Sequence, residues 1–437
     1  MNIINPYEGV NFSLDKHIPA ISHEHILSEG MLKSAYDRGI RVFAGVNYNP
    51  SAPLYPLSGF NIQYKDWESV ENLTLIDRNW IGSIPSFTDK DGNIIDTDTL
   101  PQLANAEHIS TMYWSDTDRQ YPYMWNHRNV LGCLWAEVGN GDSIVNAEEG
   151  FTPGWRNQHP TCTLQEAYVE YLKPQNQQFE GKIFGTLNHN DRVDDLSKTL
   201  QLFPGVFKAM ELFNQYYSFN YNRTFRSALD TLLNRGYKLF GTAVADWAGT
   251  WEAYGGLTDA ERHQWENAFN NLTPEEKAVY GTAEGYYNAT YVKSCDHARG
   301  CNVLLMPQSY DALPANNFNK EVGVYSKAEA AIDSYIAGRY YMSGLGTHKI
   351  TQLKVAGDTV VFSVEDTPTQ ILTVYGDGRK VYSEQKDNTS NISVSIKDKM
   401  WVRFEVFYDD SEFIFTNPIW NLDFRFRDNI KEFLLLL

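Results

Sequence analysis

The sequence predicts an α/β protein, a parallel sheet or barrel over the first two thirds followed by a small antiparallel β domain. Two patterns lead there. Up to about residue 344 short apolar runs alternate with helical stretches, and beyond it apolar and polar residues alternate along short runs between turns. At 437 residues the chain is also long enough for two units, or for one barrel with an appendage.

The elements follow in order. Ile21-Ser-His-Glu-His-Ile-Leu-Ser-Glu-Gly30 reads as a strand end and a turn leading into a helix-like stretch that closes at Gly39. Gly39-Ile-Arg-Val-Phe-Ala-Gly45 is a buried strand. Gly181-Lys-Ile-Phe-Gly-Thr-Leu187 is another, after an amphipathic stretch over 164–172, and 206–213 is a third. A helix through 229–233 and then Gly236-Tyr-Lys-Leu-Phe-Gly-Thr-Ala-Val244 repeat the sequence of helix, glycine cap and strand. Such a rhythm places chemistry at the C-terminal ends of parallel strands.

The polar, helix-prone segment 250–300 interrupts the rhythm. Leu257-Thr-Asp-Ala-Glu-Arg262 and Leu272-Thr-Pro-Glu-Glu-Lys277 are good helix starts, so an inserted lid or cap is expected. One more helix, 328–337, ends at Gly338. Apolar or alternating runs then cover 350–355, 359–364, 370–375, 392–396 and 400–407, with Tyr375-Gly-Asp-Gly-Arg379 as a turn. No internal repeat or low-complexity tract is present.

Composition narrows the function. Acidic residues outnumber basic ones 55 to 37, a net charge of −18, which repels nucleic-acid backbones and anionic membranes. A local basic pocket still admits an anionic small substrate. The start Met1-Asn-Ile-Ile-Asn-Pro-Tyr7 lacks the basic region and apolar core of a signal peptide, and no run reaches membrane-spanning length; a cytoplasmic protein is expected. The four cysteines do not make a disulfide scaffold. Cys295-Asp-His-Ala-Arg-Gly-Cys301, with His297, has the look of a zinc clip or a small closed loop, but lacks a fourth local ligand.

The richest motif is His23-Glu24-His25. On a strand, side chains two residues apart point the same way, so both imidazoles can grip one ion; the plain alternative is two unrelated polar residues. Other candidates fall at strand ends. Glu107 lies in Leu100-Pro-Gln-Leu-Ala-Asn-Ala-Glu-His108, with Glu137 in Leu134-Trp-Ala-Glu-Val138 as its rival. His127 follows an aromatic loop, His189 closes Ile183-Phe-Gly-Thr-Leu-Asn-His189, and Asp246 closes Gly241-Thr-Ala-Val-Ala-Asp246. For His127, His189 and Asp246 burial or strand capping is the competing role. His17, His159, His263 and His348 carry no pattern, and His108 reads as a surface or supporting residue.

These motifs resemble a known family. His23-x-His25-x-x-Ser28-x-Gly30, a helix, and Gly39-Ile-Arg-Val-Phe-Ala44 look like the opening of the PHP (polymerase and histidinol phosphatase) metallohydrolases. The stretch from Ala228 to Asp246 is similar to that family's last motif. Ala337-Gly-Arg-Tyr-Tyr-Met-Ser-Gly344, Trp401-Val-Arg-Phe-Glu405 and Thr416-Asn-Pro-Ile-Trp420 resemble its CehA/McbA branch. The resemblance covers nearly the whole chain apart from the insertion. It implies a distorted (βα)7 barrel over 1–344, with a C-terminal antiparallel β-sandwich-like domain over 345–422 and a tail over 423–437.

It further implies that His23, His25, Glu107 and Asp246 hold one divalent ion, and that Glu107, His127 and His189 hold a second. Imidazole and carboxylate suit zinc, manganese or iron. Two departures remove a third metal site: Asn47-Tyr48 replaces an Asp-His, and Asp246-Trp247-Ala248 has lost a final histidine. The expectation is a mono- or dinuclear hydrolase of a small-molecule ester or phosphoester. Tyr48 or Asn47 would donate to substrate, Arg192 would pair with an anionic group, and Glu211 and Asn214 would contact substrate in the pocket. The rival class is a non-catalytic binding or structural part on a decayed site. The apolar end Phe433-Leu-Leu-Leu-Leu437 would then serve a homo-oligomer or larger assembly.

Overall fold

The computed structural model describes residues 2–24, 29–45, 86–103, 105, 107–108, 112–113, 127–132, 162–163, 179, 181–215, 217, 221–246, 259–287, 300–317, 321–344, 346–408 and 412–424. It is a mixed α/β structure with many antiparallel strands and two principal sheets.

The smaller principal sheet carries the candidate site. Phe240–Val244, Phe207–Asn214 and Phe184–Leu187 run parallel, connected by the helices Val193–Leu202 and Asn222–Asn234. Almost every residue of these strands is buried, which explains why they read as continuous apolar runs. Arg128–Leu131 and then Glu107–His108 extend the sheet, but both pairings are antiparallel. The uniformly parallel sheet expected from sequence is therefore corrected on this side. On the opposite side, parallel bridges tie Glu24 to Asp246 and to Gly45, Ala20 to Val42, and Phe43 to Gln102.

The nine-stranded sheet is antiparallel throughout. Its main path runs Ile3–Ile4, Ile419–Asn421, Trp401–Phe407, Phe413–Thr416, Tyr340–Gly344, Gly300–Met306, Lys16–Ala20. Gln370–Gly376 and Val381–Asp387 branch from Trp401–Phe407. The boundary expected at 344/345 falls inside this sheet, because Tyr340–Gly344 pairs with Phe413–Thr416 and the N-terminal Ile3–Ile4 pairs with Ile419–Asn421. Gly300–Met306, seven buried residues in a row, is a central strand that sequence reading passed over at the end of the insertion. Cys301 lies in it as a free, buried thiol whose pKa burial pushes up to about 12. Cys301 is the last candidate ligand of the expected zinc clip. Cys295 and His297 lie outside the described residues.

Period-two alternation decides what each face of Trp401–Phe407 meets. Val402, Phe404 and Val406 face a three-stranded sheet, Ile350–Ala356, Thr359–Val364 and Asn391–Ser395, with Phe362 stacked on Phe404 at 4.4 Å. Trp401 and Phe407 share the other core with Leu229, Leu232 and Leu233 of helix Asn222–Asn234. On that side Arg403 is also buried, donating from Nε and Nη2 to Asp230 of the helix (2.7 and 2.9 Å) and from Nη1 to Glu405 (2.6 Å). Burial alone would weaken the guanidinium's hold on its proton, but the two carboxylates outweigh it and raise its pKa. Helix Lys327–Ala337 covers another part of the core, opened by a Ser326/Glu329 capping box and closed by Gly338 at φ 67°. Within the insertion, helices Asp259–Asn270 and Ala283–Tyr287 pack through Trp265 against Tyr286 and Tyr287, and Pro274–Tyr280 joins them through Tyr280 on Tyr286.

Removing one partner of the Arg403–Asp230 pair leaves a buried charge uncompensated. Asp230→Ala is expected to lower unfolding stability by about 3–5 kcal/mol, read from its denaturant midpoint against the unaltered chain.

Candidate metal centre

Three of the predicted ligands meet at the ends of neighbouring strand segments. His23 is 1% exposed, and its Nδ1 lies 2.7 Å from Glu211 Oε1. Its Nε2 lies 3.2 Å from Asp246 Oδ1. Asp246 Oδ2 lies 3.8 Å from His189 Nε2 and accepts from Asn214 Nδ2 at 2.8 Å. The ring of His127 sits edge-on to that of His189, with centroids 4.8 Å apart, and Tyr217 Oη is 3.4 Å from His189 Nδ1.

Backbone geometry fixes the arrangement. Asp246 has φ 55°, the left-handed region that aspartate tolerates better than most residues, and its N–H donates to His23 O at 3.0 Å. The strand turns there, which sets the carboxylate between the two imidazoles. His189 follows the strand Phe184–Leu187 and donates its own N–H to Glu211 Oε2 at 2.9 Å. Asn188 N–H donates to His127 O, which holds the two histidine segments side by side.

Beneath these side chains lies a layer that sequence reasoning missed or misread. Glu211 and Asn214 were expected to touch substrate. Instead both are fully buried: Glu211 receives His23, His189 and Asn214, and Asn214 in turn bridges Glu211 and Asp246. Asn222, at the start of its helix, accepts from the Asn214 N–H and donates to Asn214 O. Buried amides of Asn105, Asn129 and Asn302 reach Ser22 beside His23, and Asn188 donates to Asn129. A pair of polar residues closing an apolar run signalled Glu211 and Asn214; nothing local signalled Asn105, Asn129 or Asn302.

Other expectations fall elsewhere. Arg192 stands apart from the cluster, its side chain 72% exposed and 3.7 Å from Asp195 in the first turn of the helix it precedes. Glu107 is in a strand paired with Asn129, but its side chain is outside the described residues, as are His25, Asn47, Tyr48 and Glu137.

The donor chemistry fits a divalent cation. With Nδ1–H given to Glu211, a neutral His23 turns its Nε2 lone pair toward a carboxylate oxygen, acceptor against acceptor. A cation between them, or a second ring proton, resolves that contact. Tetrahedral ligands about 2.0–2.1 Å from zinc stand about 3.3 Å from one another, close to the 3.2 Å seen here. Asp246 addresses one imidazole with each oxygen, so the donors are strung along the carboxylate. Among the described residues no group of three or more His, Cys, Asp and Glu side chains is arranged to hold a metal ion.

No protein-family model matches the chain, and no curated protein matches it. Among solved structures it is similar to a two-domain protein from Bacteroides vulgatus described as containing a predicted PHP-like metal-dependent phosphoesterase. The identity is 11%, the TM-score 0.32, and the match covers 92% of this chain and 95% of that one. Likeness at this level leaves the assignment to the residues themselves. Among the described residues no helix is long and apolar enough to cross a membrane.

Asn214→Ala strips a donor from two buried carboxylates at once. A loss of about 1–3 kcal/mol in unfolding stability is expected, with Asn214→Asp at least as damaging because it adds a third acceptor; chemical denaturation measures both.

Proposed function

We propose that the chain is a metal-dependent hydrolase of the PHP type, a phosphoesterase with a mono- or dinuclear centre. The observation that carries this is the convergence of His23 and His189 on the two oxygens of Asp246, with Glu211 holding His23 from behind. His25 and Glu107, adjacent in sequence to described parts of the cluster, complete the proposed set with His127. The parallel bridges support the barrel reading. By pairing, segments around 42, 20–24, 240–246, 207–214, 184–187 and 128–131 follow one another, with Phe43 bridged to Gln102 at one end and Arg128 paired with His108 at the other.

When bound, the ions supply a water of lowered pKa and neutralise charge building on a phosphoryl oxygen. The chain's own residues prepare for this. Glu211 accepts a hydrogen bond from the Nδ1–H of His23, the tautomer that presents Nε2 as a lone-pair donor. Asn214 restrains the Asp246 carboxylate in rotation. Tyr48 and Asn47 are proposed to donate to the substrate. Arg192, exposed at a helix start, is proposed at most to meet an anionic part of the substrate that extends to the surface.

A second reading, a non-catalytic part on a decayed site, draws on the same cluster. Its buried groups bond to one another, so the network has a structural use without an ion. Metal content of chelator-free protein, with turnover of 4-nitrophenyl phosphate and bis(4-nitrophenyl) phosphate, separates the two. The hydrolase holds about one to two ions per chain, loses them in Asp246→Ala, and binds them about 10–100-fold more weakly in Glu211→Gln. Near-zero metal that added Zn²⁺ or Mn²⁺ does not restore leaves the structural reading.

A further inference from the structure

The strand Val381–Asp387 lies at an edge of the nine-stranded sheet. Among the described residues it pairs only with Gln370–Gly376, and all seven of its residues are exposed. The hydrogen-bond alternation of that hairpin says which backbone groups face outward. Asp377 N–H donates to Lys380 O at one end, and Asn388 N–H donates to Thr369 O at the other. Tyr382, Glu384 and Lys386 therefore turn their backbone groups toward Gln370–Gly376, while Val381, Ser383, Gln385 and Asp387 turn theirs out.

We propose that this edge pairs antiparallel with the same strand of a second copy, about a two-fold axis at Gln385. Hydrogen-bonded pairs across such a seam join outward-turned residues only, so 381, 383, 385 and 387 meet among themselves. The charges then choose the register. With Gln385 on the axis, Glu384 stands opposite Lys386 of the second copy, and symmetry repeats the pair. Both fall at non-hydrogen-bonded positions, where facing side chains are closest. Centring on Glu384 sets carboxylate against carboxylate, and centring on Lys386 sets ammonium against ammonium. Centring on Ser383 brings no opposite charges together within the strand.

The preferred seam runs over 383–387 and makes about six backbone hydrogen bonds. Tyr375 Oη, from the neighbouring strand, donates to Glu384 Oε1 at 2.8 Å and so steadies one member of each ion pair. Charged residues on an edge ordinarily deter pairing. Here their order is self-complementary, while the net charge of −18 keeps copies apart in unmatched contacts. The partner is thus a second copy of this chain, and the seam joins two nine-stranded sheets into one.

The test is sedimentation velocity of the full chain from about 1 to about 200 µM. The unaltered chain should shift from monomer toward dimer as concentration rises. Lys386→Glu, which opposes two carboxylates twice over, should weaken the dimer at least about tenfold. Gln385→Pro, which removes an outward N–H and leaves the hairpin's own bonds intact, should also weaken it. The exchange Glu384→Lys with Lys386→Glu restores opposite charges in the same register and should dimerise again. The proposal is overturned if the unaltered chain stays monomeric throughout, or if Lys386→Glu dimerises as well as the unaltered chain. It is equally overturned if the exchanged pair, folded by circular dichroism, stays monomeric.

Discussion

The fully buried carboxylate of Glu211 is the constraint on which the candidate centre depends. A charge sealed from water is tolerated only when hydrogen bonds replace its hydration, and three donors do so here: the His23 ring, the His189 backbone and the Asn214 amide. Each donor comes from a different stretch of chain. Satisfying one carboxylate therefore fixes a ring orientation, a strand end and a second carboxylate in a single step. Asp246, restrained by Asn214 and by its own backbone bond to His23, is placed as a consequence.

Further out, the same logic of buried charge recurs where the second sheet meets the helix. Arg403 joins Asp230 of the helix to Glu405 of the sheet, so the helix cannot slide without breaking a bidentate pair. The helix begins at Asn222, and Asn222 holds both backbone groups of Asn214. A chain of hydrogen bonds thus connects the C-terminal strands to the layer beneath the candidate ligands.

Part of this was legible in the sequence and part was not. His189 and Asp246 stood out because each closes an apolar run, and strand ends are where such residues meet. His23 stood out by its spacing from His25. The helix expected over 328–337 was announced by Gly338 at its end, and the strands after 350 by alternation. Glu211 was seen but misassigned, since a carboxylate near a strand end faces inward or outward according to neighbours far away in sequence. Gly300–Met306 was missed because a run of buried residues after a polar insertion, apolar but for Asn302, carries no period. The antiparallel pairing of Arg128–Leu131 with Phe184–Leu187 rests on tertiary contacts that no local signal encodes. Arg192 was read as an anion fork, yet the nearby Asp195 takes it as a helix-start partner.

The central claim is that the gap between His23 Nε2 and Asp246 is shaped for a cation. Anomalous diffraction from crystals grown with Mn²⁺ or Zn²⁺ addresses it directly. The account predicts a peak at about 2.0–2.3 Å from both His23 Nε2 and an Asp246 oxygen, with Glu211 still on Nδ1. A structure from the same crystals with no anomalous peak beside His23 Nε2 and Asp246 would contradict it.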